Sequence, residues 1–137
     1  MKKLLLALST SIVLTSSAWA IDREDLMIAL QDYMEMAPFG DGVILAAQLA
    51  EMKNEVVLVD ARQAQDFANN PIDGAINIDW RFVLSELDKL PEDIMIVLYC
   101  DTGILSSKAH MALRLVGYEQ VRVLFNGLAG WQAYINQ

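Results

Sequence analysis

The chain has one cysteine and one histidine in 137 residues. A single thiol excludes an internal disulfide, and Cys100 with His110 ten residues on makes no recognisable metal-ligand set. The sequence therefore calls for no metal and no cofactor. Positive charge is also scarce: ten Lys and Arg stand against eighteen Asp and Glu, for a net charge of −8. That balance argues against nucleic acid or an anionic membrane surface as partner. Beyond the first twenty residues no apolar run is long enough to span a bilayer. No internal repeat or low-complexity stretch occurs.

What is present begins with an address. Lys2 and Lys3 form a charged start, Leu4 to Leu14 an apolar segment, and Ala18-Trp19-Ala20 an A-x-A cleavage site. Residues 1–20 read as a cleaved signal peptide, with the mature chain starting at Ile21 and lying in the periplasm, off the membrane. Its 117 residues fit one core, and loss of Lys2 and Lys3 takes the net charge to −10.

Residues 21–40 read as an N-terminal helical extension. Leu26, Ile28, Leu30, Tyr33 and Met34 are spaced for one amphipathic helix from Ile21 to Met36, with Asp22 or Asp25 as N-cap, and Pro38, Gly40 and Gly42 break it. An alternating pattern follows. Strands are expected at Val43–Leu45, Glu55–Asp60, Ala75–Ile78, Ile94–Tyr99 and Val121–Leu124. Helices are expected at Ala46–Lys53, Gln63–Asn69, Phe82–Leu87, Ser106–Val116 (with Gly117 as C-cap) and Gly130–Ile135. Strands that are apolar throughout and alternate with helices predict an α/β sandwich, a mainly parallel sheet covered on both faces.

Parallel sheets hold their ligands at the carboxyl ends of the strands. Cys100 occupies such an end, followed by the polar loop Asp101-Thr102-Gly103 and a helix. A loop of this kind aims N–H groups and a helix dipole at the sulfur and stabilises thiolate. An unpaired thiol in an oxidising compartment is either a buried inert residue or a retained reactive one, and the strand-loop-helix context favours the reactive reading. Ser106 and Ser107 are candidate caps and donors. Asp60 with Arg62, and Asp79-Trp80-Arg81, close two further strands. Arg62 is expected to brace the scaffold against Asp66 or a nearby carboxylate. Trp80 is a candidate for the mouth of the site, Trp131 for the core. Lys108 is expected in solvent and His110 away from the chemistry, since ten residues from Cys100 places it on the helix body.

Val59-Asp60-Ala61-Arg62, Asp66-Phe67 and Ile72-Asp73-Gly74-Ala75-Ile76-Asn77-Ile78 together resemble the opening signature of rhodanese-like domains. The strand ending in Cys100, Gly103, the helix ending Leu115-Val116-Gly117-Tyr118, and Asn126-Gly127-Leu128-Ala129-Gly130-Trp131 follow in that family's order. The resemblance spans residues 41–137. It implies a rhodanese-like three-layer sandwich with a five-stranded sheet, and sulfur transfer: the cysteine takes a sulfane sulfur, becomes a persulfide, and passes the sulfur to a nucleophile. Cys100 is then the catalytic residue, with Asp101, Thr102, Gly103, Ile104, Leu105, Ser106 and Arg81 binding substrate. The implied partners are a small sulfur donor or a protein persulfide, and a thiol or cyanide acceptor.

The chain departs from the family's pattern inside the loop. The sixth loop position, usually arginine, is Leu105, preceded by Ile104, and the loop holds no cation. Asp101 is expected to raise the thiol pKa and repel anionic thiosulfate. Pro71 and Asp73 replace the histidine and proline of the family's His-Ile-Pro-Gly turn. Without a loop arginine, a phosphatase-like relative is excluded, because gripping a phosphoryl group needs that fork. Two alternatives to sulfur transfer stay open: a catalytically weak rhodanese-like binding or accessory module in the periplasm, and a redox-responsive thiol.

Overall fold

The computed structural model describes residues 22–38, 40 and 42–137. The signal-peptide reading, Ile21 and the expected domain start at Asp41 lie outside the described residues. Five strands, β1 (Val43–Ile44), β2 (Val57–Asp60), β3 (Ile76–Asn77), β4 (Ile96–Tyr99) and β5 (Val121–Leu124), form one sheet in the order β1-β5-β4-β2-β3. Every pairing is parallel, with β4 in the middle: Leu58 lies opposite Val97, and Val97 opposite Arg122.

The helices are α1 (Arg23–Met36), α2 (Ala46–Met52), α3 (Ala64–Asn69), α4 (Ile104–Leu115) and α5 (Gly127–Ile135). Side chains on a strand point alternately to opposite faces, so the apolar run of β4 feeds two cores. Ile96 and Leu98 join Val59, Ile78, Ala109, Leu113 and Val121 on one side of the sheet. Val97 and Tyr99 join Ile44, Leu49, Leu58, Leu124 and Leu128 on the other. Each such aliphatic side chain contributes about 1.5–3 kcal/mol of burial free energy, which explains why β4 carries no polar position. The Tyr99 hydroxyl accepts the Ile72 N–H at 2.9 Å, tying the turn before β3 to the strand that carries the cysteine.

The structure shortens or reshapes several expected elements. The helix expected over Phe82–Leu87 is two 3₁₀ segments, Trp80–Ser85 and Leu87–Lys89. Asp79 starts the first by accepting the Arg81 N–H at 3.0 Å, and so few residues favour the tighter turn. The long helix begins two residues early, at Ile104, because Gly103 adopts a left-handed N-cap conformation (φ 99°). The last begins three residues early, at Gly127. The first starts at Arg23, with the Asp22 carboxylate accepting the Glu24 N–H at 2.8 Å. Its amphipathic spacing does not translate into burial: no residue of α1 is buried, and its main neighbour is α4 rather than the sheet. At the other end of α4, Gly117 is left-handed and the Tyr118 N–H returns to the Leu113 carbonyl, closing the helix as glycine after a C-terminus does. Among the described residues, no helix is long and apolar enough to cross a membrane.

Candidate active site

Cys100 follows the last residue of β4 and is 2% exposed. The chain turns back over it through Asp101, Thr102 and Gly103 and enters α4 at Ile104. The positive φ of Gly103, which L side chains rarely adopt, brings its own N–H to 3.2 Å from Sγ, where it donates. The Ser106 hydroxyl lies 3.6 Å from Sγ and 3.1 Å from the Gly103 carbonyl. A hydroxyl has one proton to give. Ser107 already donates to the Gly103 carbonyl at 2.6 Å, which leaves the Ser106 proton available to the sulfur.

The electrostatic outcome follows from these contacts. Burial pushes the Cys100 thiol up, but the N–H and hydroxyl of Ser106 and the N–H groups of Thr102 and Leu105 hold the thiolate, and the net pKa lies below the ordinary thiol value. The expected upward push by Asp101 does not dominate. Its carboxylate is turned to Arg62, whose Nη1 donates to Asp101 Oδ1 at 3.1 Å. Ser106 and Ser107 are donors, as expected, but neither side chain caps α4: Ser107 fastens the Gly103 carbonyl and Ser106 turns its proton to the sulfur.

The loop is held from behind by α5. The Leu128 N–H donates to the Cys100 carbonyl at 2.7 Å, and the Ala129 N–H to the Asp101 carbonyl at 3.1 Å. The first turn of a helix has such N–H groups without intrahelical partners. This approach leaves no room for a side chain at Gly127, where a Cβ would stand 2.2 Å from the Cys100 carbonyl oxygen. The carbonyls are thereby turned away from the sulfur, toward α5.

In front of the loop, side chains take over. Arg62 is 3% exposed and grips buried Asp60 through Nε (3.0 Å) and Nη2 (2.7 Å). Its Nη1 also reaches the Asn70 amide oxygen at 3.1 Å. The carboxylates that hold Arg62 are thus Asp60 and Asp101 rather than Asp66. Arg62, Trp80, Arg81, Asp101 and Leu105 line a cleft of about 360 Å³ together with Gln63, Asp66 and Asp79. Arg81 is bound along its Nε–Nη2 edge by Asp79 and lies over the Phe82 ring. Lys108 is exposed, as expected, with its ammonium 4.7 Å from the Trp80 ring centroid, a cation–π contact. On the other side of the loop, Thr102, Ile104, Ser107 and buried His110 border a second cavity of about 330 Å³.

The structure therefore gathers Cys100 to Ser106 into one turn and sets Arg81 on the wall of the cleft that Asp101 and Leu105 share. Trp80 lines the same cleft, and Trp131 packs partly buried against the second core. Sequence reasoning missed the Arg62–Asp101 pair and the support from Gly127, Leu128 and Ala129. The signal for the latter was in view, since two glycines within Asn126 to Trp131 mark a close approach of backbone. Among the described residues no cluster of His, Cys, Asp and Glu is arranged to hold a metal ion. Chemically, the turn is a thiolate cradle made of amides at the head of a helix, suited to a nucleophilic sulfur that must also carry negative charge after reaction.

Comparison with known proteins agrees. The rhodanese-like domain family matches residues 45–134, and the chain belongs to that family. A sulfurtransferase of Allochromatium vinosum is 30% identical over 91 residues, covering 66% of this chain and 84% of that protein. The thiosulfate sulfurtransferase GlpE of Shewanella oneidensis is 32% identical over 84 residues, covering 61% and 82%. In three dimensions, a rhodanese-related protein of Thermoplasma volcanium superposes with a TM-score of 0.63 at 23% identity, over 67% of this chain and 91% of that one, which shows the shared fold. Membership in the family, with sulfurtransferases among the relatives, supports a sulfurtransferase-type role.

Proposed function

We propose that the protein is a sulfurtransferase or persulfide carrier that moves a sulfane sulfur on Cys100. The observation that carries this reading is the geometry at Sγ: an amide at 3.2 Å and a hydroxyl at 3.6 Å, at the head of α4, with the thiol pKa held below its ordinary value. The thiolate attacks the outer sulfur of a donor, forming a Cys100 persulfide and breaking the donor's S–S bond, whose electron pair leaves with the donor. A thiolate or cyanide then attacks the persulfide's outer sulfur and regenerates the Cys100 thiolate. The same amides hold the charge in every state, so the site needs no cation for this cycle. Asp101, Thr102, Gly103, Ile104, Leu105, Ser106 and Arg81 form the surroundings in which donor and acceptor bind.

We propose further that residues 1–20 direct export and that the cycle runs in the periplasm, the signal being the Lys2-Lys3 start, apolar segment and Ala18-Trp19-Ala20. A second reading, an accessory module with little turnover, is favoured by Ile104, 67% exposed on the loop, and by Leu105 where the family carries arginine.

Intact mass after incubation with thiosulfate, an organic persulfide and a polysulfide, with thiocyanate release on adding cyanide, separates the two. Sulfur transfer gives a +32 Da adduct (roughly one sulfur atom) that is absent in Cys100→Ser. No adduct from any donor leaves the accessory reading.

A further inference from the structure

Resting on Cys100 as the sulfur carrier, we propose that the Arg62–Asp101 ion pair is a charge filter at the mouth of the site, selecting singly charged persulfide donors over the thiosulfate dianion. Asp101 is next in sequence to the sulfur, and its side chain is 65% exposed. Arg62 comes from the end of β2, where it already balances buried Asp60. Its third ligand is Asp101, at 3.1 Å, on the wall of the cleft that Leu105 also lines. One guanidinium thus faces two carboxylates, and the exposed Asp101 leaves a net negative charge at the mouth beside Leu105. The cleft's exposed guanidinium, Arg81, is engaged by Asp79. Asp66 adds a further negative charge to the same wall.

The two donors present different charge to this wall. Thiosulfate brings two negative charges on a group bonded directly to the transferred sulfur. Attack by the Cys100 thiolate forms the Cys100 S–S bond, breaks the S–S bond of thiosulfate and releases sulfite dianion. An organic persulfide anion, R–S–S⁻, gives its outer sulfur with that charge to Cys100, its S–S bond breaks, and it leaves as one thiolate, R–S⁻. With Asp101 in place, the first reaction gathers three negative charges beside a carboxylate; the second gathers two. The filter acts on binding, so it belongs in KM more than in kcat.

Replacing Asp101 by Asn removes one negative charge from the mouth and keeps the shape, while Nη1 of Arg62 stays on Asn70. The ratio of kcat/KM for thiosulfate to kcat/KM for a cysteine-derived hydropersulfide then rises about tenfold, the order expected for one charge about 10 Å away at an effective dielectric near 20. The gain falls mainly in the thiosulfate KM and shrinks in high salt. Asp101→Glu, which keeps the charge, holds the ratio near that of the native chain, and Asp101→Ser is the second neutral variant should the first not fold. A ratio that stays flat in both neutral variants while Cys100 is still loaded overturns the filter alone. Failure of every donor to load Cys100 in the native chain overturns the sulfur-carrier reading, and the filter falls with it.

Discussion

The back and the front of the cysteine loop are built from different material. Behind and beneath the sulfur the contacts are backbone apart from the Ser106 hydroxyl: the Gly103 N–H on Sγ, and the Leu128 and Ala129 N–H groups on the Cys100 and Asp101 carbonyls. In front they are side chains: Arg62, Asp101, Trp80, Arg81 and Leu105. A backbone cradle is indifferent to most substitutions and holds charge in any protonation state of its neighbours. A side-chain wall changes with each residue. The division assigns chemistry to the back and discrimination to the front, and it explains how the loop can lose its arginine and still stabilise a thiolate.

The largest test of this division is Arg62→Met, which joins the two regions by leaving Asp60 buried without its partner. It is expected to destabilise the fold by about 3–5 kcal/mol, read as a lower urea midpoint at unchanged slope. Gly127→Ala attacks the back alone. Its Cβ collides with the Cys100 carbonyl at a position of positive φ, and the expected loss is about 2–3 kcal/mol with a disordered loop, seen as slowed alkylation of Cys100 in the folded protein.

Ser106→Ala is gentler. Removing one donor from the thiolate raises the Cys100 pKa toward its ordinary value, so the pH profile of iodoacetamide alkylation moves to higher pH. The sign of the linkage follows: because folding lowers this pKa, the thiolate adds stability that is full above the unfolded-state pKa and is lost as pH falls through the folded-state value. The variant loses part of that increment at alkaline pH. Smallest of all is Arg81→Ala at the front. Its ion pair with Asp79 is exposed, so the melting temperature stays within error of the native value while the thiosulfate KM moves by less than in Asp101→Asn. A substitution at Asp101 or Arg81 that unfolds the chain, or a back substitution that alters only donor preference, breaks the comparison.

How much of this the sequence discloses depends on chain distance. Cys100, Gly103 and Ser106 lie within seven residues, and the rule that strand, loop and helix converge on a strand's carboxyl end is enough to place them. The central strands show because apolar runs such as Val57 to Val59 and Ile96 to Tyr99 are each followed by a turn. The Arg62–Asp101 contact joins residues 39 apart, and it exists because β2 and β4 are neighbours in the sheet, an order that hydrophobic pattern does not carry. Lys108 and Trp80 meet for a similar reason: α4 packs on the 3₁₀ segment that follows β3. The N-terminal helix shows the converse failure. Its periodicity is correct for a helix, yet periodicity reports a face and says nothing of whether another element lies against it.

The dependence of the cysteine turn on Gly127, Leu128 and Ala129 reaches beyond the site. The turn acquires its full set of hydrogen bonds only with the last helix docked on the Cys100 and Asp101 carbonyls, so an unfolded chain carries an ordinary, weakly nucleophilic thiol. The lowered pKa of Cys100 is therefore a property of the folded chain, and reactivity at the sulfur reports on the docking of residues nearly thirty positions away.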